Sequence, residues 1–393
     1  MKKEGIAGII IIFTVCVMLT GAAWGEVGVT DKEIKIGTHM ALTGPAAVVC
    51  VPIRNGLKNR VDEVNELGGI HGRKINFIAE DDQFLPSRAK EVARKLIYKD
   101  KIFCTVQCIN GTGIVASMPD INKNKVPFIF VGSSLDALFN PTNRYIFGWT
   151  IPYYDAACLM VDWAVKELGK KRLAFVNMWG PIGDSNYKGA SEQLKRYGLD
   201  LVMGEKLKNV KMDYSGLVAK MRARKVDFVA ITTTAQWTIP LLKEIERQGW
   251  DVDVIIGHSS SNIPMLKKLA GEHAIEGAHI TMAHLPTDSD DPYMVKYRQN
   301  LRKYGDPKEQ GFYNFIGYGL MGMLLDTIDS VGPNLTRERL IDKLESWKDY
   351  DTKWAGKISY GPDDHIGQEG LIIVKIVDGK VKVLKNRAYP KKF

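Results

Sequence analysis

The sequence predicts an α/β protein built as two doubly wound α/β lobes. Short apolar segments rich in β-branched residues alternate with amphipathic helical segments along most of the chain, which is the pattern of a parallel sheet covered by helices. The same alternation starts a second time after the aromatic stretch Tyr145–Tyr154. A chain of 393 residues also exceeds what one hydrophobic core usually holds, so two lobes of similar size are expected.

The first unit has the order strand, turn, helix, strand. Ile34–Met40 is rich in β-forming residues, Val49–Leu67 carries apolar residues at helical spacing, and Lys74–Glu80 alternates like a second strand. A unit of this length predicts a right-handed crossover. The loop Leu42–Ala46 would then lie at the carboxyl edge of a parallel sheet, where open α/β folds bind their ligands.

The rest of the first lobe continues this alternation. We predict a helix over Pro86–Asp100, strands over Ile102–Val106 and Pro127–Val131, and a helical start over Leu135–Phe139. The loops Asn110–Gly113 and Gly132–Ser134 follow the two strands and combine hydroxyl groups with helix starts. Free backbone amides and the helix dipole favour an anion such as a carboxylate there. The alternative is ordinary helix capping by Thr112 and Ser134.

The second lobe and the tail are predicted from the same periodicities. The helices of the second lobe span Ala156–Leu168, Tyr187–Tyr197, Tyr214–Arg224 and Ile239–Gly249, and its strands span Leu173–Met178, Leu201–Glu205, Phe228–Thr232 and Val252–Gly257. The tail contributes the helices Met294–Tyr304, Asn314–Val331 and Thr336–Ser346 and the strands Lys357–Ser359, Leu371–Val377 and Lys380–Leu384. Thr336 is a good N-cap, and Asp378-Gly379 is typical of a hairpin turn.

Residues 1–25 have the composition of a signal peptide. Lys2 and Lys3 precede the apolar stretch Ile6–Leu19, and Ala23 and Gly25 supply small residues at the cleavage positions. The stretch is shorter than the roughly 18–20 residues that span a bilayer. We therefore expect cleavage near Gly25 and a soluble protein in the periplasm.

The distribution of charge and the spacing of the cysteines argue against nucleic-acid and metal binding. The net charge of +9 is scattered over helices, with no basic block interleaved with aromatic residues, so nucleic acid is not an expected partner. The spacing of Cys104 and Cys108 is not a zinc pattern, and no metal or cofactor is expected. Cys50, Cys104, Cys108 and Cys158 follow the leader and allow several disulfide pairings. A Cys50–Cys108 bridge is one possibility, because the first and third strands of a doubly wound sheet are neighbours.

Four segments, TDKEIKIG, ALTGPAA, NELGGIHGRK and EDD, occur in the order found in the periplasmic leucine/isoleucine/valine-binding protein family, which the chain resembles. The resemblance implies a type I periplasmic binding fold whose chain crosses between lobes near Thr150, His284 and Trp354. Lobe one would contain residues 26–150 and 284–353, and lobe two residues 151–283 and 354–393. It also implies a monomeric substrate-binding component of an ATP-driven importer, which closes on its ligand and docks on a membrane permease.

The resemblance places a carboxylate site in the first lobe. Thr112 takes the place of the serine whose hydroxyl and amide hold the ligand carboxylate. Ser134 takes the place of a threonine that binds the carboxylate and touches the ligand ammonium. Gly132 takes the place of the residue whose carbonyl accepts from that ammonium, and Ser133 lies between them in the same loop.

The second lobe departs from the family pattern. Ser259 stands where the amino-acid binders place an acidic residue that neutralises the ammonium, and Ile182 and Thr234 stand where tyrosines are usual. Aromatic residues at loop ends are expected to form an apolar ligand wall, with packing at the lobe junction as the alternative. They are Tyr153, Tyr154, Trp179 and Trp237.

Together these residues predict a binder of a small carboxylate. A hydrophobic, aromatic acid is favoured over leucine or valine, because a buried ammonium without its counter-charge is costly. Two alternatives stay open: an amino-acid binder in which Asp155 or Asp184 supplies the charge, and a sensory ligand-binding module. A secreted hydrolase is disfavoured because the sequence Gly257-His-Ser-Ser-Ser, with His365 downstream, lacks the final glycine of a nucleophile elbow. No enzymatic activity is expected.

Overall fold

The computed structural model describes residues 25–390, without the side chain of Arg387. The strands of its first sheet are all parallel to each other. The predicted signal peptide lies outside the described residues, except for Gly25. The strands of this sheet are β1 (Glu33–Met40), β2 (Lys74–Asp81), β3 (Cys104–Val106), β4 (Phe128–Val131) and β5 (Ile146–Gly148). Their order is β2-β1-β3-β4-β5, so the chain reverses its winding direction between β1 and β3, as in other doubly wound sheets.

Helices cover both faces of this sheet. Right-handed crossovers on either side of β1 place α1 (Ala47–Glu66) and α2 (Pro86–Arg94) on opposite faces. The helix α2 packs against α3 (Gly111–Asn124), whereas α1 packs against a helix from the tail of the chain. The three tail helices are α10 (Pro292–Tyr304), α11 (Phe312–Val331) and α12 (Arg337–Glu345). The partner of α1 is α11, and together they bury one face of the sheet.

The second sheet combines parallel strands with an antiparallel edge. Its order is β15-β14-β10-β9-β8-β6-β7. The parallel strands are β6 (Leu173–Met178), β7 (Met203–Leu207), β8 (Phe228–Thr232), β9 (Asp253–Ile256) and β10 (His279–Met282). The edge is the hairpin of β14 (Leu371–Val377) and β15 (Lys380–Ala388), which joins antiparallel to β10. Its helices are α4 (Tyr153–Asp162), α5 (Pro181–Arg196), α6 (Tyr214–Ala223), α7 (Ala235–Arg247), α8 (Ile263–Ala270) and α9 (Glu272–Ile275).

A small antiparallel sheet lies beside the first lobe. It consists of β11 (Tyr350–Asp351), β12 (Lys357–Gly361) and β13 (Asp364–Gln368). The Tyr360 hydroxyl donates to the Gly148 carbonyl, and the His365 ring stacks on Phe147 at a centroid distance of 3.8 Å. These contacts lead us to propose that the third chain crossing follows Gln368 rather than Trp354. The other lobe boundaries stay predictions.

The predicted order of elements agrees with the structure, with differences at short elements. The predicted strands Leu173–Met178 and Phe228–Thr232 have the observed ends. The sequence analysis did not predict the short elements β5, β10, β11, β13, α8 and α9, which have two to eight residues. Thr336 is the expected N-cap, since its side chain accepts from the Arg339 amide at 3.2 Å.

Candidate ligand-binding site

The carboxyl edges of the two parallel sheets are joined by the chain crossings. The chain leaves the first sheet after Gly148, at the end of β5, and leaves the second sheet after Met282, at the end of β10. The Ser134 hydroxyl, in the loop after β4, donates to the Ile151 carbonyl at 3.2 Å. The predicted carboxylate loop is therefore anchored to a crossing segment, at the edge where doubly wound sheets bind ligands.

The loop after β3 leaves the Thr112 hydroxyl free of any capping role. The N-cap of α3 is the buried Asn110, whose side chain accepts from the Gly113 amide at 3.0 Å. Thr112 is exposed, and its hydroxyl donates to the Asn110 side chain at 3.1 Å. Ser134 likewise caps no helix, since its hydroxyl turns to Ile151. Capping of a helix therefore does not account for either residue.

The loops after β3 and β4 touch each other at Gly111. A Cβ atom on Gly111 would lie 2.2 Å from the Ser133 hydroxyl oxygen, so only glycine permits this approach. The amide of Gly132 donates to the Cys108 carbonyl at 2.8 Å. These contacts hold the loops of Thr112 and Ser134 together on the first lobe.

The loop after β1 is held by Asp81, at the end of β2. The carboxylate of Asp81 accepts from the Leu42 amide at 2.8 Å and from the Thr43 hydroxyl at 2.6 Å. Desolvation opposes its ionisation, but these hydrogen bonds and the Gln83 amide lower the pKa of Asp81. The carboxylate thus stays ionised and fixes the first of the three loops.

In the second lobe, hydroxyl groups tie the loops after β8 and β9 together. The Thr238 hydroxyl lies 2.9 Å from that of Thr233 and 3.0 Å from that of Ser260, and Ser260 donates to the Thr233 carbonyl at 2.6 Å. All three residues are buried. The network fixes the backbone that carries Thr234, at the N-cap of α7, and Ser259, in a short turn over His258–Ser260.

Tyr153 stacks on His258, a residue that the sequence analysis did not assign to the site. The two rings are nearly parallel, at 17°, with centroids 6.3 Å apart. Burial raises the pKa of Tyr153 to about 12 and lowers that of His258 to about 4, so both rings are neutral near pH 7. His258 directly precedes Ser259, and this adjacency was the available signal for including it.

The other predicted aromatic residues of the second lobe differ in exposure. Trp179 follows β6 and is 65% exposed, whereas Trp237, in the first turn of α7, is half-buried. The indole N–H of Trp237 is buried without a hydrogen-bond partner in the described part of the chain. The Tyr154 hydroxyl is used within the second lobe rather than for the predicted ligand wall, since it donates to Glu192 at 2.7 Å.

Beneath the first-lobe loops lies a buried cluster of His39, Asp82 and Cys108. His39 Nδ1 lies 2.9 Å from an Asp82 carboxylate oxygen, and both side chains are fully buried. Burial opposes a charge on His39, but Cys108 and Asp82 outweigh it and raise its pKa to about 10. Burial likewise opposes the thiolate, but the charge of His39 lowers the pKa of Cys108. Cys50 and Cys108 are both free thiols, so the possible bridge between them is absent.

The effect of His39 on Cys108 makes a spectroscopic prediction. The ultraviolet absorbance of a thiolate should rise at a lower pH in the folded protein than in His39→Gln, because the charge of His39 lowers the pKa of Cys108. Cys104→Ser is the matched control and should leave this titration unchanged, because burial raises the pKa of Cys104. An unchanged titration in His39→Gln would contradict the effect of His39 on Cys108.

The pair has a defined effect on stability. His39, with a raised pKa, contributes stability that is present below pH 6.5 and is lost as the pH rises through about 10. Cys108, with a lowered pKa, contributes above its ordinary value of 9.0 and loses the contribution as the pH falls. Just below pH 9.0 the stability from His39 falls with rising pH while that from Cys108 increases, so the two effects oppose each other.

His365 and Ser259, the residues that a hydrolase would use, are not arranged for catalysis. His365 is fully buried in β13, and its Nδ1 lies 3.1 Å from the Asn143 and Ile146 carbonyls of the first lobe. Ser259 lies in the second lobe, in a turn of three residues rather than at the start of a helix. No nucleophile–base contact joins them within residues 25–390.

A cavity of about 960 Å³ lies beside the second crossing. Its walls come from the segment Ser261–Pro264, the crossing segment His284–Asp291, Phe312 of α11 and the β15 strand. None of the nine predicted site residues lines it. The cavity is therefore separate from the surface formed by Thr112, Ser134 and their neighbours.

Two doubly wound sheets, joined at their carboxyl edges by chain crossings, define a type I periplasmic binding fold. A family model described as periplasmic binding protein matches residues 33–380, and the chain belongs to this family. Members of the family are solute-binding proteins rather than enzymes. Between residues 25 and 390, no helix has the length and apolar character needed to cross a bilayer.

The relatives cover nearly the whole chain at low identity. A Leu/Ile/Val-binding protein of Rhizobium johnstonii is 24% identical over 349 residues, which cover 89% of this chain and 93% of the relative. A branched-chain amino acid ABC transporter structure from Thermus thermophilus with bound valine has a TM-score of 0.82 and 20% identity, covering 92% of this chain and 97% of that one. A fatty acid ABC transporter substrate-binding protein from Thermomonospora curvata has a TM-score of 0.80 and 23% identity. The match covers 94% of this chain and 95% of that one.

Proposed function

We propose that the protein is the exported, periplasmic solute-binding component of an ABC importer and binds a small carboxylate between its lobes. The observation that carries the proposal is the first-lobe surface, where Thr112 and Ser134 present hydroxyls that no helix cap uses. Hydroxyls and the amides at the start of α3 suit a carboxylate. The ligands named for the relatives, branched-chain amino acids and a fatty acid, share this group.

The second-lobe surface supports a hydrophobic or aromatic acid without an ammonium group. Ser259 supplies no charge where amino-acid binders of the family carry an acid, and Asp184, one of the two acids that could replace it, is paired with Lys206. An unpaired buried ammonium would cost several kcal/mol. The neutral rings of Tyr153, Trp179 and Trp237 suit an apolar ligand body. An amino-acid binder remains the second candidate, because relatives named for leucine, isoleucine and valine cover most of the chain.

Ligand closure would follow from contacts to both lobes. A ligand whose carboxylate lies on Thr112 and whose body lies on Tyr153 or Trp237 has a higher affinity for the closed state than for the open state. The closed form would then dock on a membrane permease. The protein would act as a monomer and would need no cofactor.

A matched pair of ligands tests the substrate class. We expect calorimetry to detect 4-methyl-2-oxopentanoate, phenylacetate or benzoate binding more tightly than leucine, whose skeleton the first acid shares without the ammonium. Ser259→Glu should weaken these acids by repulsion and improve leucine. Tight binding of leucine or valine together with no binding of the acids would overturn the preference for ammonium-free ligands.

A second measurement tests the site itself. Thr112→Ala should weaken every carboxylate ligand about tenfold, since a hydrogen bond to a charged group contributes about 1.5–3 kcal/mol. Ser330→Ala is the control, because its hydroxyl donates to Thr327 at the far end of α11. Equal affinities of the Thr112 variant and the control would place the carboxylate elsewhere.

A further inference from the structure

The cavity beside the second crossing contains polar atoms without partners. His284 is 1% exposed and lines the cavity, and its Nε2 has no hydrogen-bond partner among the described residues. Its Nδ1 faces the Leu285 carbonyl and must donate to it, which leaves Nε2 as an acceptor. The hydroxyl oxygen of Ser289, another lining residue, is also buried without a partner in residues 25–390. A buried acceptor of this kind costs free energy unless a donor reaches it.

The surroundings keep His284 neutral. Its ring lies between Phe312 and Phe315, at centroid distances of 5.0 and 4.8 Å. Burial lowers the pKa of His284 to about 4. The imidazole is therefore an acceptor over the whole physiological range, and it would not repel a cation.

The charges and apolar walls indicate what would fill the cavity. Three carboxylates, those of Asp288, Asp290 and Asp291, line the cavity. Lys267 and Lys380 also line it, and the Lys267 ammonium donates to the Gly379 carbonyl. Arg298 donates to the carbonyls of Thr287 and Ser289, at 2.8 and 2.7 Å. The remaining walls are apolar: Ile263, Pro264, Leu285, Pro286, Phe312, Val381 and Val383.

We infer that this cavity, which none of the predicted site residues lines, is a second ligand site for a small amine with an apolar body. Its ammonium would donate to His284 Nε2 and face the aspartates, while its body would lie along Val383 and Phe312. The volume of about 960 Å³ lies within the range of small-molecule sites, roughly 300–1,000 Å³.

The walls of this site belong to both halves of the molecule. Phe312 lies on a helix that packs against the first sheet, whereas Ile263 and Val383 lie on elements of the second sheet. The shape of the cavity therefore depends on the angle between the sheets. An occupant that prefers one angle would shift the affinity of the interlobe site, and the effect would be reciprocal.

Three probes with one skeleton test the ligand class. Calorimetry on the purified full chain should show 4-phenylbutylamine binding at least fivefold more tightly than 4-phenylbutan-1-ol, and 4-phenylbutyrate should not displace the bound amine. Equal binding of the amine and the alcohol would overturn the cationic class. No binding of the amine at millimolar concentration would overturn the site.

Exposed positions allow a test that does not risk the fold. Asp288→Asn together with Asp290→Asn should weaken the amine about tenfold, and Val383→Trp, at a position 43% exposed, should block it. Asp251→Asn is the control, because this exposed residue lies outside the cavity. Thr112→Ala should leave the amine unaffected even if it abolishes carboxylate binding. Loss of amine binding in Thr112→Ala, or unchanged binding in Val383→Trp, would contradict a separate site.

Discussion

Replacing Arg337 with methionine should destabilise the protein by about 3 kcal/mol or more, because it removes the partner of three backbone carbonyls. Arg337 begins α12 and is 8% exposed. Its guanidinium donates to the carbonyls of Phe103 at 2.8 Å, Ile102 at 2.6 Å and Asn124 at 2.9 Å. It thereby ties the tail helix to the start of β3 and the end of α3, the elements that position the Thr112 loop.

The neighbouring Arg339 provides the control for this prediction. Arg339 lies two residues further along the same helix, is exposed, and donates to the Asn334 carbonyl at 2.8 Å. Arg339→Met should change the free energy of unfolding by less than about 0.5 kcal/mol, as is usual at the surface. Denaturant unfolding of both variants measures the difference. Equal stabilities would show that the buried guanidinium contributes no more than the exposed one.

Gly317→Ala should destabilise the protein by about 3 kcal/mol through the contact between α1 and α11. A Cβ atom on Gly317 would lie 2.0 Å from the Ile53 carbonyl oxygen, and one on Gly56 would lie 1.9 Å from the Asn314 carbonyl oxygen. Real Cβ atoms do not approach backbone atoms so closely, so the helices would have to separate along their whole interface. Gly317 and Gly56 therefore set the distance between the two helices.

A glycine with space around it is the control for this prediction. A Cβ atom on Gly361, in β12, would lie 3.5 Å from the Lys348 ammonium, an ordinary contact with a flexible side chain. Gly361→Ala should therefore cost far less than Gly317→Ala in the same denaturant titration. A Gly317→Ala protein as stable as the Gly361→Ala protein would mean that the helices can move apart without loss.

Predicted and observed elements agree best where a run of neighbouring apolar residues marks the element. The strands Leu173–Met178 and Phe228–Thr232 were predicted with their observed ends, because each is a largely apolar run that begins directly after a charged residue. The strand Ile146–Gly148 was missed inside an aromatic stretch. The strand β10, of four residues, was also missed, and with it the carboxyl edge that leads into the cavity.

The candidate site was predictable only in part. The sequence and the family resemblance selected the loops of Thr112, Ser134 and Ser259, which the structure places at the carboxyl edges of its sheets. They did not indicate that Tyr153 stacks on His258, a contact between residues more than a hundred positions apart. The effect of His39 on Cys108 was also not predictable, because His39 lies in β1, Cys108 follows β3, and only the pairing of these strands brings the two segments together.

The sequence by itself determined the class of fold, the order of most elements and the loops that approach a ligand. These properties depend on patterns of neighbouring residues, because apolar residues with a period of two predict strands and those with a period of 3.6 predict helices. The loops follow from this, because parallel strands share one carboxyl edge. Only the tertiary structure decided the cavity at His284, whose walls are four segments distant in sequence. Their meeting depends on where the chain crosses between the sheets and how α11 packs on α1, and no local pattern of side chains specifies either.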